Sequence, residues 1–509
     1  MELPIDMHYG ESMKKPNIIL ILADDMGYSD LGCYGSEIQT PNLDRLAADG
    51  LRFSQFYNAA RCCPTRACLL TGLYPHQAGV GKMVKNEGPG PYQGFLNDRC
   101  ITIAEALKLG GYATYMSGKW HVGEERPHWP VDRGFDRHYG LISGAMNYFD
   151  IRKSKSPGAV RAFAKDGEAH QPPSEGYYAT DAFTDFAVDC IDAHDDPDQP
   201  FFLYLSYTAP HWPLHAWPED IAKYRGRYMD GWPALRRERY QRLVDLGFIR
   251  RDWALSDQDD KATDWESLDE EKRLEMDHKM AIYAAQIDRM DQGIGKVLDA
   301  LRRKGCEEDT LIMFLSDNGA CHESSSLGTN FRPDLSGELG TADSYQSYGL
   351  SWSNASNTPF RKHKSWVHEG GIATPLIVNW PRGITRPGRM CHQPGHILDI
   401  MTTCCAVAEV PYPREFNGQA VTPMEGISLE PIFHDGEREP HELLFWEHIG
   451  NRAVRCGNWK LVEDKKLGRW ELYDMEKDRT ELHDLSGDMP EKVEELITLY
   501  NQWAEKVGV

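Results

Sequence analysis

Short, almost continuous apolar runs alternate along the chain with longer segments in which apolar residues recur every three or four positions. The first run covers residues 17–23, and its isoleucine and leucine content predicts a parallel strand buried on both faces. Similar runs occupy residues 112–116, 201–205, 310–315 and 375–379. Helical periodicity marks residues 40–47, 103–109, 178–193 and 280–303. This alternation predicts an α/β fold in which helices sandwich a large, mixed, mostly parallel sheet.

The pattern changes near residue 437. Short alternating strands are predicted at 453–455, 458–462 and 470–474, followed by a helix at 490–507. We therefore expect an N-terminal extension (1–15), a large α/β domain (16–436) and a small C-terminal subdomain built of an antiparallel sheet and a helix (437–509). The serine- and glycine-rich stretch from residue 324, continuing through 345–357, predicts a long loop or rim rather than core.

Composition limits the partners of the chain. Its 509 residues include 56 Lys and Arg against 78 Asp and Glu, which gives a net charge of −22. Such a charge argues against non-specific binding to nucleic acid or to an anionic membrane. An anionic substrate would need a local cluster of cations. The twelve cysteines show no spacing typical of a disulfide framework or a zinc site, and we expect most to be reduced core thiols.

Targeting signals are not evident in the sequence. Residues 1–15 lack the apolar core of a signal peptide, and no run of 18 or more apolar residues occurs. We expect a soluble chain without a membrane partner. It would be cytoplasmic as given, and periplasmic or secreted if an export signal has been lost.

Ionisable residues follow several of the predicted strands. Carboxyl ends of parallel strands meet at one edge of a sheet, where open α/β sheets bind ligands. A lone histidine or lysine near a strand end is more often a surface or core residue, but recurrence at the same place favours a site. Four oxygen-bearing side chains suit Ca²⁺, or alternatively Mg²⁺, and not zinc. They are Asp24, Asp25, Asp317 and Asn318, and the cationic or titratable set is Lys119, His121 and His211.

Residues 61–72 read Arg-Cys-Cys-Pro-Thr-Arg-Ala-Cys-Leu-Leu-Thr-Gly. Pro64 suits the first turn of a helix, which places Cys62 just before that helix. First-turn N–H groups and the helix dipole stabilise negative charge at such a point, and Arg66 adds a permanent cation. The ordinary alternative is a buried thiol before a structural helix.

The spacing Cys-x-Pro-x-Arg followed by Leu-Thr-Gly resembles the signature of the type I sulfatases, within the alkaline phosphatase superfamily. Cys63 and Cys68 lack the required spacing, so the resemblance points to Cys62. It implies that a maturation enzyme oxidises Cys62 to formylglycine. The aldehyde hydrate then offers one hydroxyl that attacks sulfur and a second that expels sulfate.

Other segments also resemble this family: Asp24-Asp25, Gly-Lys-Trp-His at 118–121, Ala-Pro-His-Trp-Pro at 209–213, Ser-Asp-Asn-Gly at 316–319 and Glu-Gly-Gly at 369–371. Spacing before Glu-Gly-Gly selects Lys364 as the active-site lysine, although Lys362 is a near neighbour. The resemblance implies one cation held by the four oxygen residues and modified Cys62. It places Arg66, Lys119 and His121 around the nucleophile, with His121 as base. It places His211, the general acid, and Lys364 near the leaving group.

The expected activity is hydrolysis of sulfate monoesters, with an aryl sulfate or a sulfated carbohydrate as substrate. One alternative is a formylglycine-dependent phosphonate monoester or phosphodiester hydrolase. A less favoured alternative is an inactive relative that binds sulfated glycans. Six residues could line a pocket for an aryl group or a sugar ring, or could equally be core: Asn147, Tyr148, Phe149, Trp212, His215 and Trp217.

Overall fold

The computed structural model describes residues 14–159 and 161–509, so the predicted extension at 1–15 lies almost entirely outside the described residues. The strands are β1 (Asn17–Asp24), β2 (Leu51–Tyr57), β3 (Ala113–Gly118), β4 (Arg137–Leu141), β5 (Phe163–Lys165), β6 (Glu168–Ala169), β7 (Phe201–Pro210), β8 (Thr310–Ser316), β9 (Ala373–Asn379), β10 (Arg389–Cys391), β11 (Gly395–His396), β12 (Glu415–Phe416), β13 (Gln419–Ala420), β14 (Leu443–His448), β15 (Asn451–Cys456), β16 (Trp459–Asp464) and β17 (Arg469–Asp474).

The helices are α1 (Pro41–Ala48), α2 (Cys62–Thr71), α3 (Pro75–Ala78), α4 (Ile103–Leu109), α5 (Ala179–Asp192), α6 (Pro218–Ala222), α7 (Gly231–Asp245), α8 (Glu270–Lys304), α9 (Gly349–Ser356), α10 (Glu369–Ile372), α11 (Leu398–Val407), α12 (Glu430–Phe433) and α13 (Pro490–Val507).

One large mixed sheet dominates the fold. Its strand order is β10-β2-β9-β8-β1-β7-β3-β4-β5-β6, with β11 also paired to β2. The central strands β8, β1, β7, β3 and β4 are mutually parallel, and β9 runs antiparallel to both of its neighbours. The predicted α/β class with a mixed, mostly parallel sheet is therefore confirmed.

Alternate residues of β1 face two different helical layers, because successive side chains of a strand point to opposite faces. Ile19 and Ile21 pack with residues of α1, α5 and α8. Leu20 and Leu22 pack with residues of α2, α4 and α11. The strand is therefore buried on both faces, as its uninterrupted apolar run predicts. The carboxylate at its end, Asp24, is buried as well, which is typical of a binding or catalytic site.

The C-terminal strands β14, β15, β16 and β17 form an antiparallel sheet in sequence order, and α13 packs against it. This sheet is fastened to the large domain by buried polar contacts. The Trp446 indole donates to the carbonyl oxygen of Asn58 at 2.8 Å, and the Lys460 ammonium donates to Glu369 at 2.9 Å.

The prediction of a loop or rim from residue 324 through 357 is wrong for residues 349–356, whereas residues 324–348 contain no helix or strand. Residues 349–356 form α9, every residue of which is buried. Its composition of glycine, serine and asparagine resembles that of a loop, but small side chains also let backbones approach closely. A Cβ at Gly27 would lie 2.3 Å from the carbonyl oxygen of Ser356, so α9 packs directly beneath the loop after β1.

Two further features bear on the sequence predictions. All twelve cysteines are free thiols, eight of them buried and four partly buried. Within residues 14–159 and 161–509, none of the helices is both long and apolar enough to cross a membrane.

Candidate active site

The carboxyl ends of β8, β1, β7 and β3 lie side by side, because these four strands are neighbours in the sheet. Asp24 ends β1, Asp317 follows β8, His211 follows β7 and Lys119 follows β3. All four side chains are buried. The structure thus brings the predicted polar clusters together at one edge of the sheet.

The motif helix α2 delivers Cys62 and Arg66 to the same edge. Cys62 is the first residue of the helix and Pro64 the third, so the expectation that Cys62 would lie just before the helix is wrong by one position. Arg61 occupies the N-cap in an extended conformation. The first-turn N–H groups still surround Cys62, and the argument for stabilising negative charge there is unchanged.

Two cations bind the carboxylates behind Cys62. The Arg66 guanidinium donates to Asp317 Oδ2 at 2.9 Å, and also to the backbone oxygen of Lys119 and the Ser206 hydroxyl. The Lys119 ammonium lies 2.6 Å from Asp24 Oδ2. Burial alone would lower the pKa of Lys119, but the charges of Asp24, Cys62 and Asp317 together outweigh it and raise that pKa.

Asp25 is held by a second pair of residues. The Lys364 ammonium lies 2.6 Å from its Oδ1, and His211 Nε2 lies 3.4 Å from its Oδ2. Burial alone would raise the pKa of Asp25, but Lys364 and His211 outweigh it and lower that pKa. The structure therefore brings Lys364 into the site, whereas Lys362 lies 3.5 Å from Asp464 of β16.

Several residues around the site adopt left-handed backbone conformations that only glycine adopts easily. Asp25 has φ of 68°, His121 of 59° and Ser365 of 79°. Such conformations persist where surrounding contacts over-determine them, and they cluster at functional sites. The His121 ring also rests on Gly144, where a Cβ would lie 2.5 Å from the imidazole.

A second cluster joins Cys62, Cys63 and His121, whose ligand atoms all lie within 4.8 Å of one another. Cys63 Sγ is 3.3 Å from His121 Nε2. A hydrogen bond from Cys63 and the charge of Lys119 outweigh burial and lower the pKa of the Cys62 thiol. Burial lowers the pKa of His121 to about 4, so this ring is neutral at pH 7.

The oxygen residues fit a hard divalent cation. Asp24 Oδ1 and Asn318 Oδ1 are buried and have no hydrogen-bond partner among the described residues. The Asn318 amide nitrogen donates to Asp25 Oδ1, which leaves its oxygen free to bind another group. Burial and the nearby charge of Asp24 raise the pKa of Asp317. A cation such as Ca²⁺ would satisfy both oxygens and relieve the crowding of negative charge.

Sequence reasoning missed three residues in or next to this set, namely Ser206, Glu323 and Arg61. Ser206 lies within the apolar strand β7 and accepts a hydrogen bond from Arg66. Glu323 lies five residues beyond Asn318, and its carboxylate contacts both Arg61 and the Trp212 indole. A polar residue inside an apolar strand was a signal for Ser206. Glu323 and Arg61 carried no comparable signal.

The six residues considered for a pocket separate into different places. Asn147, Tyr148 and His215 are fully buried and make internal hydrogen bonds, so they are core. Phe149 and Trp217 line an apolar cavity of about 560 Å³. Trp212 stacks on Phe331 with ring centres 4.5 Å apart, beside Glu323.

Comparison with known proteins places these features in a family. The sulfatase family model matches residues 16–410. The model of the N-sulphoglucosamine sulphohydrolase C-terminal region matches residues 360–506. The chain belongs to the sulfatase family. The match covers well over half of the chain and includes every residue of the candidate site described above.

Individual relatives of this sulfatase agree with that assignment. An arylsulfatase of Klebsiella aerogenes is 36% identical over 83% of this chain and 93% of its own length. An uncharacterized sulfatase of Schizosaccharomyces pombe is 35% identical over 97% of this chain and 94% of its own. Among solved structures, Ps i-CgsB in complex with k-i-k-neocarrahexaose is 28% identical with a TM-score of 0.70, covering 96% of this chain and 93% of that one.

Proposed function

We propose that this sulfatase hydrolyses sulfate monoesters to an alcohol and inorganic sulfate, with Cys62 converted to formylglycine and Ca²⁺ as its cation. The observation that carries the proposal is the complete Cys-x-Pro-x-Arg motif at the buried start of α2, facing strand ends that carry cations and unsatisfied oxygens. Membership of the sulfatase family and similarity to an arylsulfatase support it.

The nucleophile would be residue 62. Converted to formylglycine, this side chain supplies an aldehyde hydrate with one hydroxyl for attack on sulfur and another for release of sulfate. The neutral His121 ring, next to Cys62 and Cys63, is placed to accept a proton from that side chain. Arg66 and Lys119 lie close by and hold negative charge in position.

The cation would be held by Asp24, Asp25, Asp317, Asn318 and modified Cys62, and when bound it supplies Lewis-acid stabilisation of a sulfate oxygen. In the structure the three carboxylates are balanced by three cations, Arg66, Lys119 and Lys364. A divalent ion would leave the set with two surplus positive charges. That surplus suits a sulfate anion in a chain whose overall charge is −22.

The leaving group would face His211 and Lys364. Both ring nitrogens of His211 lie near oxygen acceptors, Nδ1 at 2.5 Å from the backbone oxygen of Trp212 and Nε2 at 3.4 Å from Asp25. Burial lowers the pKa of His211 although the Asp25 carboxylate opposes this, so the ring in its protonated form is a strong proton donor. We therefore assign His211 as the general acid that protonates the leaving oxygen.

The proposal is tested with protein made in a host that carries the maturation enzyme. Intact mass should show residue 62 as the aldehyde, and the protein should cleave 4-nitrophenyl sulfate faster than a phosphonate monoester. Cys62→Ala should abolish turnover, whereas Cys68→Ala, six residues along the same helix, should retain it. Preference for the phosphonate, or turnover by Cys62→Ala, would refute the assignment.

A further inference from the structure

A cavity of about 290 Å³ opens beside the candidate active site, and its wall contains none of the catalytic side chains. His322, Trp366, Lys362, Lys466, Lys261 and Asp259 lie in its wall. His363 also lines it, directly before Lys364 in the chain. The cavity is therefore bounded by the segment that carries the active-site lysine.

The wall near the active site is built from two adjacent segments. The backbone N–H of Lys364 donates to the carbonyl oxygen of Ala320 at 3.2 Å, which fixes residues 320–326 beside residues 361–366. His322 and His363 stack with ring centres 5.4 Å apart. Glu323, next to His322, contacts the N-cap of the nucleophile helix at Arg61. A molecule in this cavity would therefore adjoin the leaving-group side of the site.

The wall of the cavity carries three lysines, Lys261, Lys362 and Lys466, beside two carboxylates, Asp259 and Asp260. Lys261 and Lys466 make no ion pair with any described residue, and Lys362 pairs with Asp464 at 3.5 Å. The Lys466 ammonium lies 5.4 Å from the ring centre of Trp366. Of the two carboxylates, Asp259 Oδ2 lies 3.2 Å from His363 Nε2, and Asp260 is exposed to solvent. Unpaired lysines are notable in a chain with a charge of −22.

Other groups in the wall suit a sugar. Trp366 is partly exposed and presents an aromatic surface, and aromatic side chains pack well against the apolar faces of sugar rings. His322 Nδ1 is buried and has no hydrogen-bond partner among the described residues. Asp259 and the hydroxyls of residues 324–326 can accept or donate hydrogen bonds to sugar hydroxyls.

We propose that this cavity binds a second acidic group, a sulfate or a carboxylate, on a saccharide whose neighbouring sulfate ester is cleaved at Cys62. The inference rests on the proposed function and narrows its substrate class to acidic oligosaccharides. Lys466 and Lys261 bind the second acidic group, and Trp366 contacts the sugar ring that bears it. An aryl sulfate carries no second acidic group for the cavity to bind.

The test compares kcat/KM on 4-nitrophenyl sulfate, on a disaccharide with one sulfate ester, and on the same disaccharide with an added sulfate or a uronic carboxylate. Wild-type protein should prefer the doubly acidic substrates. Lys466→Ala should raise KM for them about tenfold, the scale of one charged hydrogen bond, with little effect on the aryl sulfate. Lys466→Glu should raise KM for the doubly acidic substrates further. Lys296→Ala, which changes an exposed lysine on α8, should alter neither this KM nor the activity on the aryl sulfate.

Binding measured without turnover separates this inference from the proposed function. A disaccharide that keeps the second acidic group but lacks the scissile sulfate should bind wild-type protein in calorimetry. It should bind Lys466→Glu more weakly and Lys296→Ala as tightly as wild type. An equal loss on aryl and saccharide substrates, no preference for the second acidic group, or unchanged binding by Lys466→Glu would overturn the inference. Failure to hydrolyse 4-nitrophenyl sulfate would instead refute the proposed function.

Discussion

His211 is the residue whose role can be tested most sharply, because the need for an acid depends on the leaving group. A nitrophenolate leaves readily without a proton, whereas a sugar or alkyl alkoxide does not. We expect His211→Ala to slow a sugar or alkyl sulfate by about 10²–10⁴-fold and 4-nitrophenyl sulfate much less.

Single-turnover rates on the two substrates, measured in wild-type and His211→Ala protein, would show this asymmetry. Lys364 also contacts Asp25 and provides the comparison. If both substrates slowed by the same factor in His211→Ala, the acid would have to be sought elsewhere, and the same pair of measurements on Lys364→Ala would be next.

At the scale of elements, the small C-terminal sheet is joined to the large domain through a buried ionic cluster. Lys460 of β16 lies 2.9 Å from Glu369 and 2.7 Å from Glu481, and Arg479 lies 3.1 Å from Glu369. Removing one partner of a buried pair leaves an uncompensated charge. We expect Lys460→Met to lower the free energy of unfolding by about 3–5 kcal/mol.

Urea unfolding curves of the two proteins measure this difference. Lys477 offers the control, because it follows β17 and is 80% exposed although it also pairs with an aspartate. Exposed pairs contribute about 0–1 kcal/mol, so Lys477→Met should stay close to wild type. Similar unfolding curves for Lys460→Met and wild type would mean that the ionic cluster does not stabilise the contact between the small sheet and the large domain.

A second prediction at this interface concerns the loss of folding stability at low pH. Burial alone would raise the pKa of Glu471 in β17, but His368 and Arg361 of the large domain outweigh it and lower that pKa to about 2, from a usual value of 4.5. Because the folded-state pKa is the lower one, the stabilisation is complete above pH 4.5 and is lost as the pH falls toward 2.

Glu471→Gln should therefore lose less stability than wild type between about pH 6 and about pH 3, by on the order of 2 kcal/mol. Unfolding free energies from urea titrations at several pH values would show the difference. Glu495→Gln, on the outer surface of α13, should follow the wild-type curve. Parallel curves for wild type and Glu471→Gln would exclude this carboxylate as a source of acid sensitivity.

Sequence reasoning located elements that are specified locally. The apolar run of β1, the first-turn proline of α2 and the terminal helix α13 are each readable from a few neighbouring residues. It failed at α9, whose serines and glycines are buried because other parts of the chain pack closely on them. The contacts of Glu323 and of the Lys460 cluster could not be predicted either, because their partners lie far away in sequence.

At the scale of the whole molecule, a chain with a net charge of −22 contains a site in which three carboxylates are balanced by three cations. A negatively charged chain attracts a divalent cation. We propose that it is held at the oxygens of Asp24 and Asn318 that have no hydrogen-bond partner among residues 14–159 and 161–509. Binding to the folded state alone stabilises that state, by about 2.7 kcal/mol at a hundredfold excess over Kd.

We therefore expect the melting temperature to fall when the protein is treated with a chelator and to rise by a few degrees when Ca²⁺ is restored. Asp317→Asn should reduce or abolish this response, because it removes one charged ligand from the set. Asp252→Asn is the control, because Asp252 is an exposed carboxylate that pairs with Arg250 and is not one of the proposed ligands. Its melting temperature should change with chelator and Ca²⁺ as that of wild type does. Equal melting temperatures with chelator and with Ca²⁺ would contradict a calcium site, and a response retained in full by Asp317→Asn would place the ion elsewhere.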